Sequence, residues 1–160
     1  MAAPHGMYKL NVDDALDVNN QMMGIGGVVR NSYGQVIAAI SSPLKGNLTV
    51  KEIEAKAISY CLSWLKHINC PIHLLESDAL IVSQNVNNPQ HHYGRFHDLI
   101  NDIIYQMSSF SGISISYVHR SANSAAHGLV RYALRVDTDI VWRAVCPSPI
   151  EAVIVNELVH

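Results

Sequence analysis

The chain has 160 residues, of which 49% are hydrophobic and only 15% are charged. This length fits one domain, and the low charge excludes a disordered protein and predicts a sizeable buried core. Its 11 Lys and Arg against 13 Asp and Glu give a net charge of -2. Any nucleic-acid binding must therefore use a local cluster of basic side chains rather than a basic surface.

The first part of the chain has the pattern of three strands. Residues 8–12 alternate in polarity and run into a turn at residues 13–14, and the runs 24–30 and 35–40 are apolar and β-branched. Good turn residues at 31–34 join the last two runs into a hairpin. The glycine-rich sequence GIGG leads into a strand, which favours close packing over a phosphate-binding loop. We expect an antiparallel meander.

From residue 50 the apolar residues recur three or four apart, which predicts an amphipathic helix over 50–67 with a capping box at Thr49 and Glu52. The later elements are predicted in this order: a strand at 71–75, helices at 77–86 and 93–107, a strand at 113–118 and a helix at 121–134. Strands reached through helical crossovers lie parallel to the first strand. We therefore predict an α/β fold, a five-stranded mixed sheet with helices on both faces.

Residues 7–135 are interpreted as one domain because no repeat or linker divides them. The apolar segment 136–160 is predicted to pack back on this domain as a C-terminal tail. The three cysteines are too few and too scattered for a disulfide framework or a zinc site. No signal peptide or membrane span is evident, so we expect an intracellular monomer of the nucleus, the cytoplasm or an organelle, without membrane contact.

Three acidic residues are predicted to meet at one edge of the sheet. Asp13 ends the first strand, Asp78 follows the fourth, and Glu54 begins the long helix. If these two strands are parallel neighbours, both aspartates lie at their carboxyl ends, where α/β sheets bind ligands. Clustered carboxylates repel one another unless a proton or a cation neutralises them, and oxygen ligands suit Mg²⁺ or Mn²⁺. Taken singly, Asp13 is better explained as an ordinary turn residue, Asp78 as a helix cap and Glu54 as a solvated helix residue. Their joint placement is what favours a site.

Five motifs, in this order, resemble the type 1 ribonuclease H family, and most closely its plant reverse-transcriptase-like branch. They are Lys9–Ala15, Gly24–Gly34, Glu54–Ala57, Glu76–Ala79 and His119–Leu129. The resemblance covers nearly the whole chain. It implies a ribonuclease H-like fold and hydrolysis of the RNA strand of an RNA–DNA hybrid with two divalent ions.

The resemblance also implies catalytic roles. Asp13, Glu54 and Asp78 match three of the four acids that hold two Mg²⁺ (or Mn²⁺) ions, one to activate water and one to stabilise the leaving 3′ oxygen. The fourth position is His127, which is common in the plant branch but removes one negative charge. Asp14 replaces the usual glycine, where we expect it to constrain a turn and either to assist the metal or to repel a phosphate.

Family members recognise hybrids partly through ribose 2′-hydroxyls, so small polar groups beside the site are candidates for substrate binding. The candidates here are Asn11, Asp14, Ala15, Asn123 and, for the phosphate backbone, Arg120. Asn123 has an alternative role as a cap of the last helix, and Arg120 an alternative role in neutralising the acidic cluster.

Two functions remain open from the sequence. The first is a metal-dependent endonuclease acting on RNA–DNA hybrids, which the three matched acids favour. The second is a catalytically weakened nucleic-acid-binding or interaction module, which His127, Asp14 and the net charge of -2 favour.

Overall fold

The described residues of this computed structural model, 2–159, form six strands and five α-helices. The strands are β1 (Lys9–Asp17), β2 (Met22–Arg30), β3 (Val36–Lys45), β4 (Leu74–Ser77), β5 (Ser114–Tyr117) and β6 (Ile140–Arg143). The helices are α1 (Val50–His67), α2 (Leu80–Asn87), α3 (Arg95–Met107), α4 (Ser124–Ala133) and α5 (Glu151–Val159). None of the helices in this part of the chain has both the length and the apolar character required to cross a membrane.

The strands form one mixed sheet in the order β5-β4-β1-β2-β3-β6. β1, β2 and β3 pair antiparallel, while β4 is parallel to β1 and β5 is parallel to β4. The predicted α/β fold and its antiparallel meander are therefore confirmed. The prediction of five strands is corrected to six, because residues 140–143 of the predicted tail pair with β3 as an additional edge strand. Residue 160 of that tail lies outside the described residues.

Helices cover both faces of the sheet, as predicted. One face packs against α1, α2 and α3 in a core that includes Leu10, Ile25 and Cys61. The other face packs against α4 and the C-terminal segment through Leu129 and Ile150. Burying each of the large aliphatic side chains stabilises the fold by about 1.5–3 kcal/mol.

The start of α1 and the β2–β3 hairpin follow from local sequence. Thr49 accepts from the backbone N–H of Glu52, and the Glu52 carboxylate accepts from the backbone N–H of Thr49, which confirms the capping box. In the hairpin, the side-chain oxygen of Asn31 accepts from two backbone N–H groups, and Gly34 supplies a positive φ of 78°.

Glycines of β2 allow helices to approach from both sides. A Cβ on Gly26 would lie 2.5 Å from the carbonyl oxygen of Ala126 in α4. A Cβ on Gly27 would lie 2.7 Å from the Sγ of Cys61 in α1. The prediction of close packing at this sequence is confirmed, and it brings α4 directly over β1 and β2.

β1 is longer than predicted, and this changes the position of two aspartates. The sequence predicts a turn at residues 13–14, but β1 continues to Asp17 because β2 pairs with it along its whole length. Asp13 lies opposite Gly26 and Asp14 lies opposite Ile25. The predicted turn at Asp14 is therefore wrong, and its extended backbone needs no glycine.

Candidate active site

The residues predicted to be catalytic come from four separate segments around the middle of β1 and the carboxyl end of β4. Asp13 lies in β1, Glu54 lies near the start of α1, Asp78 directly follows β4, and His127 lies in α4. The paired register of β1 and β4 ends with Val12 beside Ser77. The next residue of each chain segment is an aspartate, so the predicted adjacency of these two strands is confirmed.

The carboxylates lie close enough for their charges to raise the pKa of Asp13 and Glu54. Burial raises the pKa of Asp13, and the charge of Asp78 raises it further, although hydrogen bonds from the Asp14 N–H and His127 oppose the shift. Burial also raises the pKa of Glu54, and the charges of Asp78 and Asp13 add to this effect. Negative charge at this edge is therefore not fully neutralised by the protein itself.

His127 is the group in direct contact with Asp13. Its Nδ1 lies 3.0 Å from Oδ2 of Asp13, and its side chain is 42% exposed while Asp13 is buried. When Nδ1 carries the proton it donates to Asp13, and Nε2 keeps a lone pair. The imidazole can then accept a proton at the mouth of the site.

Asp14 points to the other face of the sheet. Successive residues of a strand alternate in direction, so Asp14 faces α1 while Asp13 faces α4. Burial and the charges of Asp13, Glu54 and Asp78 raise the pKa of Asp14 to about 8. This keeps the Asp14 carboxyl group protonated at neutral pH in the metal-free protein.

Two of the predicted substrate contacts are buried within the protein. Asn11 is 0% exposed and Asn123 is 1% exposed. Nδ2 of Asn11 donates to Oδ1 of Asn123, and Nδ2 of Asn123 donates to the carbonyl oxygen of Val12. Both side chains are therefore engaged inside the protein, and their predicted contact with substrate stays a prediction. The alternative role of Asn123 as a helix cap is not observed, because its side chain makes no capping hydrogen bond to α4.

The other predicted substrate contacts lie nearer the surface. Arg120 is exposed in a 3-10 turn, Arg120–Asn123, that precedes α4. Ala15 and Asp14 are half-buried in β1. Of these three side chains, Arg120 is the one that can supply positive charge to a phosphate.

Sequence reasoning missed a set of buried charges beside Asn11. Lys9 pairs with Glu76, and Arg30 pairs with Glu157 of α5. The available signal was a cation at the start of β1 and one at the end of the apolar strand β2, because buried cations need partners. The identity of those partners was not visible in the local sequence.

The donor set fits a hard cation, although the side chains do not yet enclose one. Among residues 2–159, no group of three or more His, Cys, Asp and Glu side chains is arranged so that it could hold a metal ion as it stands. The acids at this edge nevertheless offer only oxygen ligands, and a bound cation offsets both the burial and the like charge that raise the pKa of Asp13 and Glu54. Oxygen-only ligands suit Mg²⁺ or Mn²⁺ better than zinc.

A family model described as reverse transcriptase-like matches residues 11–133. The chain belongs to the reverse transcriptase-like family. The matched range contains the four residues predicted to be catalytic, and the resemblance to the ribonuclease H family is confirmed. No curated protein matches this chain.

Solved structures support the same fold for this reverse transcriptase-like domain. RNase H1 from the halophilic archaeon Halobacterium salinarum NRC-1 is similar over 81% of this chain and 98% of its own, with 20% identity and a TM-score of 0.71. The N-terminal RNase H domain of Rv2228c from Mycobacterium tuberculosis is similar over 80% of this chain and 93% of its own, with 18% identity and a TM-score of 0.69.

LC11-RNase H1, isolated from compost by a metagenomic approach, was solved in complex with an RNA/DNA hybrid. That structure is similar over 80% of this chain and 96% of its own, with 16% identity and a TM-score of 0.69. At these identities the similarity establishes the ribonuclease H-like fold.

Proposed function

We propose that this protein is a divalent-metal-dependent endonuclease that cleaves the RNA strand of RNA–DNA hybrids. The observation that carries the proposal is the concentration of Asp13, Glu54 and Asp78 around the middle of β1 and the carboxyl end of β4, where the pKa values of Asp13 and Glu54 are raised. Partly buried like charges favour a bound cation. Membership of the reverse transcriptase-like family and the fold shared with RNase H1 support this activity.

In this proposal Asp13, Glu54 and Asp78 hold Mg²⁺ or Mn²⁺, with two ions when substrate is bound. The ions supply activation of the attacking water and stabilisation of the leaving 3′ oxygen. Asp13 is already oriented, because His127 holds its carboxylate at 3.0 Å. The exposed side of His127 can exchange a proton with water or with the leaving group.

The proposed substrate surface surrounds this edge of the sheet. Arg120 provides a positive charge for a backbone phosphate from the turn before α4. Ala15 and Asp14 continue β1 beyond Asp13, so the backbone of this segment is proposed to lie beside the ribose 2′-hydroxyls. The hybrid bound to LC11-RNase H1 supports an RNA–DNA hybrid as the substrate class.

A second candidate function is a module that binds nucleic acid with weak or no turnover. His127 favours it, because an imidazole at the fourth position reduces the negative charge available to a hard cation. Asp14 also favours it, since burial and then the charges of neighbouring acids raise its pKa to about 8 at a position where the ribonuclease H motif has glycine.

The deciding experiment is a cleavage assay on a hybrid labelled in the RNA strand, with all-DNA duplex as a second substrate. We expect cleavage of the RNA strand that requires Mg²⁺ or Mn²⁺ and falls to background in Asp78→Asn, which cannot hold the ions as a carboxylate. Asp102→Asn is the matched control, because Asp102 is an exposed aspartate on α3. It should cleave like the wild type.

The outcomes separate the two functions. Hybrid binding without cleavage in either metal would support the binding module and contradict the nuclease. Absence of both binding and cleavage would contradict both. Equal loss of activity in Asp78→Asn and Asp102→Asn would contradict the assignment of Asp78 to the active site.

A further inference from the structure

Two cations are buried on the α4 side of the sheet near the start of β1. Lys9 is 3% exposed, and its Nζ lies 3.2 Å from Oε1 of Glu76. Arg30 is 8% exposed, and its Nη1 donates to the carboxylate of Glu157 in α5. A buried guanidinium requires such a partner, so α5 supplies the charge that allows Arg30 to stay buried.

A chain of hydrogen bonds leads from Arg30 to the peptide group that precedes Asp13. Nη2 of Arg30 donates to Oδ1 of Asn11 at 3.0 Å, and Nδ2 of Asn11 donates to Oδ1 of Asn123 at 3.2 Å. Nδ2 of Asn123 then donates to the carbonyl oxygen of Val12 at 2.8 Å. That carbonyl belongs to the peptide that joins Val12 to Asp13.

The direction of this chain is fixed by Arg30 and by Glu76, whose Oε1 accepts from Nδ2 of Asn11 at 3.1 Å. A guanidinium can only donate, so the side-chain oxygen of Asn11 must face it, and the amide nitrogen of Asn11 must face Asn123. Asn123 is oriented in the same way towards Val12. Rotating either amide would set two donors against each other inside a buried region, which is costly.

The last bond of the chain lies where the pairing of β1 with β4 stops, while β1 continues to pair with β2 beyond this point. β1 and β4 are paired up to Val12 and Ser77, and Asn123 binds the Val12 carbonyl at this point. The orientation of the following residue, Asp13, therefore depends on a side chain that is itself held through Arg30.

α5 is otherwise lightly packed. Ile154 is buried, whereas Val155 and Leu158 are exposed on the described part of this helix. The ion pair between Arg30 and Glu157 is thus a main polar contact of α5 with the sheet. α5 also lies outside the range 11–133 that matches the family.

We infer that Glu157 is a positioning residue that orients Asp13 through Arg30, Asn11 and Asn123. The inference rests on the proposed function, because it takes Asp13 to be a metal ligand. It adds a C-terminal helix to the machinery of the site, and it gives the two buried asparagines a role that does not involve touching substrate.

The test compares Glu157→Ala, Glu157→Gln and Glu151→Ala in the full chain. Glu151 is exposed on the same helix and is the matched control. NMR of the metal-free protein follows the side-chain amides of Asn11 and Asn123 and the backbone amide of Asp13. Titration with Mg²⁺ alone then gives the affinity, and thermal unfolding gives the stability.

We expect Glu157→Ala to move these amide signals and to weaken Mg²⁺ binding about threefold, less than the roughly tenfold loss caused by removing a direct hydrogen-bond partner of a metal ligand. Glu157→Gln keeps an acceptor for Arg30 and should recover part of the affinity. Glu151→Ala should match the wild type in both measurements. A purely structural role for Glu157 would lower the unfolding temperature and leave the affinity unchanged, which would overturn the inference.

The same data separate this inference from the proposed function. If the wild type binds Mg²⁺ and the Glu157 variants bind it equally well, the inference fails and the proposed function stands. If the wild type binds no Mg²⁺, the proposed function fails, and unmoved Asn123 and Asp13 signals in Glu157→Ala would overturn the positioning as well. If Glu157→Ala does not fold, the affinity of Glu157→Gln decides.

Discussion

The two ends of β1 carry charge in opposite ways. Near its start, Lys9 and Arg30 of the neighbouring strand are buried, and each has its own carboxylate partner. Further along the same face, Asp13 has a histidine beside it, while Asp78 and Glu54 add charge of the same sign. The protein neutralises one end internally and leaves excess negative charge at the other.

This difference indicates which end is structural and which is functional. Breaking a buried ion pair destabilises a fold, whereas removing one of several crowded like charges stabilises it. Removing a charge should therefore have opposite effects on stability at the two ends of β1. The three predictions below test this contrast, beginning with the largest effect.

Arg30→Met should lower the free energy of unfolding by about 3 kcal/mol, because it leaves Glu157 without its cation and Asn11 without a donor. Urea unfolding at pH 7 measures the change. Arg131→Met, at an exposed position on α4, is the control and should change little. If Arg30→Met destabilised the protein as little as the control does, the buried ion pairs of Lys9 and Arg30 would not be important for stability.

Asp14→Asn should raise the free energy of unfolding of the metal-free protein at pH 7 by about 1–3 kcal/mol, since the folded state must keep a proton on the Asp14 carboxyl group at this pH and an amide has no such requirement. The effect should depend on pH. The pKa of Asp14 is raised from 3.8 to about 8, so the folded state retains a proton that the unfolded state releases.

The sign of the pH dependence follows from this shift. The contribution of protonated Asp14 to stability is complete below its unfolded pKa of 3.8 and is lost as the pH rises to about 8. Unfolding curves of wild type and Asp14→Asn should therefore converge in acid and separate towards pH 8. Parallel pH profiles would contradict the crowding of carboxyl groups at this end of β1.

His127→Asp should have the smallest effect on stability, a loss of about 1 kcal/mol without metal, because it adds a charge beside Asp13. The same variant should bind Mg²⁺ more tightly than the wild type, since it completes the four-acid pattern of the family. His127→Asn, which is neutral, is the control, and isothermal titration measures both affinities. Equal affinity of the two variants would mean that the fourth position does not reach the ions.

The fold was largely predictable because its signals are local or periodic. The spacing of apolar residues predicts α1, and the turn residues 31–34 predict the hairpin. β1 was predicted too short because aspartates are unfavourable in strands, and pairing with β2 overrides that preference at Asp13 and Asp14. β6 has four residues, too few for a periodic pattern to be distinguished from an apolar tail.

The candidate site was only partly predictable. The acids stand out because their motifs lie at strand and helix ends, and their roles stay predictions until metal binding is measured. The boundary at residue 135 likewise stays a prediction. The sequence predicts Asn11 and Asn123 as substrate contacts but does not reveal their hydrogen bond to each other, because the two residues lie 112 positions apart in the sequence.

The close contact of α4 with Gly26 affects the position of His127 relative to Asp13, which lies opposite Gly26 in β1. Gly26 pairs with Asp13, and the backbone of Ala126, the residue before His127, lies against the α carbon of Gly26. A methyl group on Gly26 would push α4 away from the sheet. The distance between the His127 imidazole and the Asp13 carboxylate is therefore set by the spacing between α4 and the sheet. Gly26, which carries no functional group, fixes that spacing.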